Sequence, residues 1–446
     1  MRNSAGLKIE KCSNWQADYQ SKLCSPEQAA ALVKSGDVIS LSGGTSVPVG
    51  FCEALGERAA ELKGVTLLMG FALRKYQVMQ PELHDSFHIE TVFVGQMERQ
   101  CIKAGNASYV PIHLQQVGAW LDNRKPNMVA VTVTPPDEDG YMNRTCYAAL
   151  THRRAFQAAD TVVVEVNPET PWLNGQDFKI HVSEVDHIIE QCTPITEIQD
   201  IPITDTEREI AGHISEMIPD GATIQLGLGG LANAIGYMLR DKRDLGMHAE
   251  VVSNSVMELM KCGAVNGSRK TYMPGKVVGT YCVGNRELFE FVDHNPDFEF
   301  CEVETTNDPL IIARNENLIS INNALMIDLT GQVASESIGH YQYSGTGGQV
   351  NFVQGARLSP GGISILALSS TYRDNKGNIQ SRILPDFPVG TVVTTSRCDV
   401  QYVVTEFGVA SLQYKSIAER VRQLVLVAHP DYREELIVKA RKAGWI

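Results

Sequence analysis

The sequence is poor in several features that would place it in a simple class. Only 20% of its 446 residues are charged and 7% are aromatic, and acids exceed bases to give a net charge of −13. This net charge argues against a nucleic-acid-binding surface, which normally needs a basic face, although a small site built from amides can still hold an anion. Its apolar runs, such as residues 363–368, have strand length, and its N-terminus has no signal-peptide core. We therefore expect a cytoplasmic protein with no nucleic-acid or membrane partner.

Metal and redox motifs are also missing. The ten cysteines are scattered without a C-x-x-C pair, which favours reduced thiols over a disulfide framework. The eleven histidines include no H-E-x-x-H motif, and His181 and His187 fit strand or loop positions better than a metal site. We expect no metal site and no permanently bound cofactor.

The length of the chain and an internal repeat indicate two domains. A single hydrophobic core stops growing at about 250–300 residues, well below this length. Gly36 and Leu41 open a strand, loop, helix and strand pattern that recurs, at the same spacing, from Gly221 and Leu226. The repeat predicts two similar open α/β domains with mostly parallel sheets, at residues 1–195 and 206–446. Residues 193–203, which contain two prolines, have the composition of a linker.

Local patterns predict several elements of these domains. Apolar, β-branched runs predict buried strands at residues 128–133, 161–166 and 391–395. A capping box is predicted at residues 206–209, before a helix with Ile210, Ile214, Met217 and Ile218 on its apolar face.

A glycine loop followed by an acid is the most informative segment. Gly227, Gly229 and Gly230 follow an apolar strand and open a helix, and Glu250 comes about twenty residues later in a strand-like segment. The G-x-G-x-x-A pattern fits a dinucleotide site, so an NAD-dependent dehydrogenase is one interpretation. The ribose-binding acid of such a site belongs at the end of the second strand, whereas extended residues follow Glu250. Close packing of helix on strand is the simpler alternative.

A second glycine cluster changes the balance between these interpretations. Gly345, Gly347 and Gly348 stand in a segment without an obvious helical pattern. Neighbouring glycines let amides converge on a negatively charged oxygen, although a tight hairpin needs glycines as well. Two amide-rich loops and an isolated strand glutamate favour acyl chemistry over hydride transfer.

Nine short motifs occur in order along nearly the whole chain. They lie at residues 134–141, 165–168, 226–234, 245–250, 306–309, 327–333, 345–352, 403–410 and 428–436. Together they resemble the acetyl-CoA hydrolase/transferase family, which includes 4-hydroxybutyrate, butyrate and itaconate CoA-transferases. The resemblance implies an active site at the cleft between the two domains. It also implies transfer of CoA between a short-chain acyl-CoA and a free acid such as butyrate, 4-hydroxybutyrate, itaconate, succinate or acetate.

The resemblance further implies roles for particular residues. Glu250 would be the nucleophile, which forms an acyl anhydride and then a glutamyl-CoA thioester in ping-pong kinetics, with CoA as a substrate and no cofactor. Oxyanion or CoA-binding donors would come from two glycine sets: Gly345, Gly347 and Gly348, and Gly227, Gly229 and Gly230.

Two polar residues match family positions beside the nucleophile. Asn307 would hydrogen-bond a substrate carboxylate, and Glu406, at a strand-to-helix turn, would orient its neighbours. A turn asparagine and a glutamate at a helix N-terminus are the local alternatives. His248 either tunes Glu250 or, as we favour, serves in packing.

Three positions depart from the family pattern. Asn351 and Gln354 stand where Asp and Arg are common. Near Pro168, where the family tends to show Pro-Arg-Thr, the chain reads Thr-Pro-Trp-Leu-Asn at residues 170–174, and the missing arginine and added indole of Trp172 leave the acceptor acid open. A hydrolase on the same scaffold, an NAD-dependent dehydrogenase and a non-catalytic CoA sensor remain alternatives. A homodimer is the default expectation for the assembly.

Overall fold

The structure is a computed structural model that describes residues 14–147 and 152–446, so Cys12 and the first residues of the chain lie outside it. Contacts divide the chain into two compact units. The first contains residues up to 112, 116–197 and 280–304, and the second contains residues 113–115, 198–279 and 305–446. The chain thus enters the second unit within the predicted linker. Residues 280–304, which the sequence assigned to the second domain, make their contacts within the first unit.

Helices and strands alternate along most of the described chain. The α-helices are α1 (Trp15–Lys22), α2 (Pro26–Ala30), α3 (Val49–Glu57), α4 (Gln96–Ala104), α5 (Val117–Arg124), α6 (Arg153–Ala158), α7 (Asp205–Glu216), α8 (Gly230–Met238), α9 (Asn254–Lys261), α10 (Arg286–Val292), α11 (Val303–Thr306), α12 (Pro309–Ile312), α13 (Gln349–Leu358), α14 (Ile417–Val427) and α15 (Pro430–Lys442). Short 3-10 helices are Gln77–Met79, Pro81–Leu83, Leu114–Gln116, Gln176–Phe178 and Val182–Glu184. The strands are β1 (Val38–Gly44), β2 (Val65–Ala72), β3 (Phe87–Thr91), β4 (Ala107–Tyr109), β5 (Met128–Val133), β6 (Tyr141–Asn143), β7 (Thr161–Val166), β8 (Lys179–His181), β9 (His187–Glu190), β10 (Thr223–Gln225), β11 (Gly246–His248), β12 (Val251–Val252), β13 (Val277–Gly279), β14 (Tyr281–Cys282), β15 (Phe298–Phe300), β16 (Leu318–Asn323), β17 (Met326–Asp328), β18 (Val333–Ala334), β19 (Ser337–Ile338), β20 (Tyr341–Gln342), β21 (Ile363–Ala367), β22 (Thr371–Arg373), β23 (Ile379–Ser381), β24 (Ile383–Leu384), β25 (Tyr402–Thr405) and β26 (Gly408–Ser411).

The first unit is built on a parallel sheet with the strand order β4-β3-β2-β1-β5-β7-β9. Strands β5 and β7 pair in register from Met128 opposite Thr161, and all six residues of β5 are buried. Strands covered on both faces read as continuous apolar runs, which is why these two were predictable from the sequence. The core of this unit joins α2 and α3 to β1, β2 and β3.

The second unit has a similar strand order. Its sheet contains the run β13-β11-β10-β16-β21-β25-β26, parallel except for the hairpin of β25 and β26. In both units the chain begins at a middle strand and adds strands first on one side and then on the other: three and three around β1, and, in this run, two and four around β10. The prediction of two similar α/β units with mostly parallel sheets is therefore confirmed. In such sheets ligands bind at the carboxyl ends of strands where the order reverses, here between β10 and β16.

Two local predictions were wrong in detail. The capping box at the start of α7 lies at Thr204 and Glu207, two residues before the predicted position, because the Thr204 hydroxyl accepts from the Glu207 amide. Residues 391–395 do not form a buried strand, since Val392 and Val393 are 44% and 40% exposed and only Thr395 pairs, with Val333. A β-branched run forms a buried strand only where the fold supplies neighbours for it.

Within residues 14–147 and 152–446, no helix has both the length and the apolar content needed to cross a membrane. The nine cysteines in these ranges are free thiols, and these ranges hold no group of three or more metal-ligating side chains.

Candidate functional site

Glu250 lies just beyond the carboxyl end of β11, within the second unit. The strand ends at His248, and Glu250 occupies a bend before the short strand β12. The expectation that Glu250 sits inside a strand is therefore wrong. The neighbouring strand β13 ends at Gly279, and the last bond to it is donated by the Ala249 amide, so the chain turns away at Glu250. The carboxylate consequently stands at the edge of the sheet where ligands bind.

The side chain of Asn307 reaches this carboxylate. Nδ2 of Asn307 donates to Oε2 of Glu250 over 2.8 Å, across 57 positions of sequence. Asn307 is fully buried between α11 and α12, and the capping of α12 is performed by Asp308, which accepts from the Leu310 amide. Because Asp308 fulfils the turn role, the side chain of Asn307 is left to serve Glu250.

Gly348 lies against the same carboxylate. A Cβ atom at this position would overlap both Oε2 of Glu250 and Nδ2 of Asn307. The backbone of Gly348, with φ −93° and ψ 3°, is open to any residue. The glycine is therefore required here by space, and it brings the main chain directly against the carboxylate.

The second glycine loop leads into a helix, which the sequence analysis did not expect. Gly348 is the N-cap of α13, and Gly347 has φ +54° in the left-handed region. The first amides of a helix have no partner within it and carry partial positive charge. These amides point out of the N-terminal end of α13, and Gly348 at this end lies against the carboxylate of Glu250. The donors predicted from this glycine loop would therefore include the first backbone amides of α13.

Glu336 holds this loop in place and was missed by the sequence analysis. Its backbone carbonyl accepts from the amides of Tyr343 and Ser344 at 2.8 and 2.9 Å, and its carboxylate accepts from the hydroxyl of Thr346 at 3.1 Å. The side chain is buried. The only available sequence signal was an acid between two short extended segments, which is too common to single out.

The three glycines of the first loop have different surroundings. Gly229 has φ +107°, which a residue with a side chain rarely adopts, and it is the N-cap of α8. A Cβ at Gly230 would overlap the carboxylate of Glu207 on α7, whereas one at Gly227 would meet nothing within 4 Å. The loop follows β10, which pairs with β11, so it and Glu250 follow adjacent parallel strands at the same edge of the sheet.

Glu406 has a different local setting from the one predicted. It occupies the two-residue turn of the β25–β26 hairpin, where Thr405 pairs with Gly408, and no helix begins there. Its two carboxylate oxygens accept from the hydroxyl and the amide of Ser370, at 2.6 and 2.8 Å. The residue thus clamps the end of β21 to this hairpin.

The three departures from the family pattern have identifiable surroundings. Asn351 is buried on α13 and donates to Oε1 of Gln115 at 3.0 Å, while Gln354 is partly buried on the same helix. Trp172 is buried in the first unit, where its ring stacks on His294 with centroids 5.3 Å apart. The contacts of Asn351 and Trp172 account for these two side chains by packing within their own units.

Comparison with known proteins identifies the class. The N-terminal domain model of the acetyl-CoA hydrolase/transferase family matches residues 8–198, and the C-terminal domain model matches residues 284–440. The chain therefore belongs to the acetyl-CoA hydrolase/transferase family, as the motifs suggested.

Individual relatives narrow the class further. The chain is 42% identical to a succinyl-CoA:cyclohexane-1-carboxylate CoA transferase of Geobacter metallireducens, covering 97% of this chain and 98% of the relative. It is 38% identical to a 4-hydroxybutyrate coenzyme A transferase of Clostridium kluyveri, covering 96% and 99%. Among solved structures, RipA from Yersinia pestis matches with TM-score 0.91 and 34% identity, over 97% of this chain and 100% of that one. The prediction of a CoA-transferase is confirmed, and the dehydrogenase interpretation finds no support.

Proposed function

We propose that the protein transfers CoA between a short-chain acyl-CoA and a free carboxylate, with Glu250 as the nucleophile. The single observation that supports this most directly is the grouping of Glu250, Asn307 and Gly348. It combines a carboxylate, an amide donor fixing one carboxylate oxygen and a helix N-terminus that favours negative charge.

The proposed reaction exchanges one activated acyl bond for another. A carboxylate oxygen of Glu250 attacks the thioester carbonyl, forming an acyl-glutamyl anhydride and releasing CoA thiolate. The thiolate attacks the glutamyl carbonyl, so the first acid leaves and a glutamyl-CoA thioester remains. The acceptor carboxylate then attacks this thioester to give a new anhydride and thiolate, and attack of the thiolate on the new acyl carbonyl forms the product and restores Glu250.

Each attack builds negative charge on a carbonyl oxygen. The amides at the start of α13 and the side chain of Asn307 are the proposed donors for it, with Gly345, Gly347 and Gly348 allowing the backbone to approach closely. Losing one such donor typically costs about 10²–10³ in rate. We assign the Gly227–Gly229–Gly230 loop to CoA or the same pocket, and Glu406 to support of the surrounding strands.

The test is to trap the acylated glutamate. The protein is incubated with acyl-CoA, treated with borohydride or hydroxylamine, and digested with trypsin. The modification should map to Glu250 in the peptide of residues 244–261, and Glu258 in the same peptide serves as an internal control. The Glu250→Gln variant should carry no label and exchange no CoA. Full exchange activity in that variant would refute the mechanism.

Substrate choice and the hydrolase alternative need separate measurements. Relatives carry names with succinyl-CoA, cyclohexane-1-carboxylate, 4-hydroxybutyrate, butyryl-CoA and acetate. A panel of these donors and acids, together with itaconate, should show parallel double-reciprocal plots, as ping-pong kinetics requires. Acyl-CoA consumption that is unaffected by an added acid would indicate a hydrolase instead.

A further inference from the structure

His248 is a buried polar residue that the proposed mechanism does not use. It is the last residue of β11, two positions before Glu250, and none of its side chain is exposed. Its Nε2 atom lies 2.9 Å from the backbone carbonyl oxygen of Thr306. Since a carbonyl oxygen only accepts, Nε2 must carry the proton and donate.

The contacts of His248 lead to the other members of the site. Thr306 immediately precedes Asn307, whose Nδ2 atom donates to Glu250. The ring of His248 also packs edge-on against Phe352 of α13, with centroids 6.2 Å apart, about one helical turn beyond Gly348. One side chain therefore reaches from the strand of the nucleophile to the segments that hold Asn307 and Gly348.

The charge state of the ring suits a fixed support. Burial, reinforced by the nearby Lys270, lowers the pKa of His248 to about 3, although the bond to Thr306 opposes this shift. The imidazole is therefore neutral at ordinary pH. A neutral ring with its proton on Nε2 holds the Thr306 carbonyl without bringing a second charge close to Glu250.

We propose that His248 is a positioning residue for the exchange reaction: its bond to the Thr306 carbonyl fixes the turn that presents the Asn307 amide to Glu250. This inference rests on the proposed function of Glu250. It goes beyond a packing role because it attributes the effect on catalysis to one hydrogen bond, from His248 to Thr306, and to one residue positioned by it, Asn307.

Two amide substitutions separate this bond from simple packing. In His248→Gln the amide nitrogen stands close to the place of Nε2, whereas in His248→Asn it stands near Nδ1 and falls short of Thr306. We expect the Gln variant to keep kcat within about threefold. We expect the Asn variant to lose about 10- to 100-fold in kcat, with little change in KM, because small misplacements of catalytic groups cost this much. Equal kcat in both variants would overturn the proposal.

A double-mutant cycle tests whether His248 acts through Asn307. If His248 acts through Asn307, then His248→Asn should slow Asn307→Ala by less than about twofold, since the bond has nothing left to position. Effects that multiply would contradict the proposal. The buried Ile319→Ala variant on β16 controls for loss of stability in the same sheet, and it should lower the Tm while leaving kcat unchanged below that temperature.

The same variants distinguish failure of this inference from failure of the proposed function. Trapping of the Glu250 adduct is followed in single turnovers of the wild type and of His248→Asn. Slower trapping in the variant supports the positioning role, and equal rates refute it while leaving the function intact. A wild type that forms no adduct removes the proposed function and this inference together.

Discussion

Gly348 has room for a hydrogen atom, but not for a Cβ atom, beside the carboxylate of Glu250. The site places a main-chain segment, an amide side chain and a carboxylate at van der Waals distance, and a methyl group at this glycine would overlap the other two groups. Groups packed this tightly move only by displacing their neighbours. The proposed reaction should therefore be sensitive to the addition of a single methyl group at this position.

We predict that Gly348→Ala lowers kcat by about 10²–10³, because the added Cβ displaces Glu250 or Asn307 from their hydrogen-bonded arrangement. Steady-state kinetics measures the effect. Gly355→Ala is the matched control on the same helix, where the new Cβ would instead overlap the side chain of Ile312. It should cost about 1–3 kcal/mol of stability and leave kcat near the wild-type value. A Gly348→Ala variant with normal kcat would show that the carboxylate has room to move.

Two glutamates act at the scale of elements by joining segments distant in the chain. Glu406 ties the β25–β26 hairpin to Ser370, just beyond the end of β21. Glu165 on β7 accepts from the amides of Val49 and Phe51 and so caps α3, whose N-cap residue Pro48 provides no side-chain cap. In both cases a carboxylate satisfies backbone groups that the local sequence leaves open.

For the first of these contacts, we predict that Glu406→Ala destabilises the second unit by about 2 kcal/mol, since hydrogen bonds to a charged group are worth about 1.5–3 kcal/mol, and that Ser370→Ala, which loses only the hydroxyl bond, costs less. Glu406→Ala removes both bonds, whereas Ser370→Ala removes only the hydroxyl bond and keeps the backbone amide, so the double variant should lose little more than Glu406→Ala alone. Denaturant unfolding of the three variants gives the coupling energy. Additive losses would place the role of Glu406 elsewhere.

The second contact makes stability depend on pH. Burial raises the pKa of Glu165 from 4.5 to about 7, against the lowering effect of the α3 amides. The folded state thus holds a proton that the unfolded state releases, so the contribution of Glu165 to stability is fully present below pH 4.5 and is lost as the pH rises to about 7, by up to about 3 kcal/mol. Glu165→Gln should remove this part of the pH dependence. Thermal unfolding of both proteins from pH 4.5 to 8 tests this, and parallel profiles would count against it.

At the scale of the whole molecule, a similar strand order is built twice, yet the chain does not divide into two continuous halves. Residues 280–304 return to the first unit and supply Glu302, whose carboxylate pairs with the buried guanidinium of Arg144 at 2.7 Å. Arg144 is also enclosed by the rings of Phe156 and Phe178. An ion pair this deeply buried makes the first unit depend on a segment contributed from beyond residue 279.

We predict that a fragment of residues 1–197 does not fold cooperatively, because it leaves Arg144 buried without Glu302. Denaturant titration followed by tryptophan fluorescence should show a broad, shallow change instead of a sigmoidal transition. In the full chain, Glu302→Ala should destabilise the first unit by about 3–5 kcal/mol, the usual cost of breaking a buried pair. A sharp transition in the fragment would mean that residues 280–304 are dispensable for the core.

Much of the fold was predictable because its signals are local. Strands β5 and β7 read as uninterrupted apolar runs, and the repeat around Gly36 and Gly221 indicated two similar sheets. The position of Glu250 after a glycine loop was visible as well. Prediction failed where burial depends on segments distant in the chain. Residues 391–395 have the composition of a strand but lack the neighbouring strands that would pair with them.

The sequence by itself determined the two glycine loops, the acid at residue 250 and the order of motifs that marks the family. The tertiary structure decided how Asn307 and Gly348, which the family resemblance placed at the site, meet Glu250. It alone decided that Glu406 lies in a hairpin turn and that His248 faces Thr306. The physical reason is that periodicity reports which face of an element is buried, whereas partners separated by tens of residues are chosen by how the strands are ordered in the sheet.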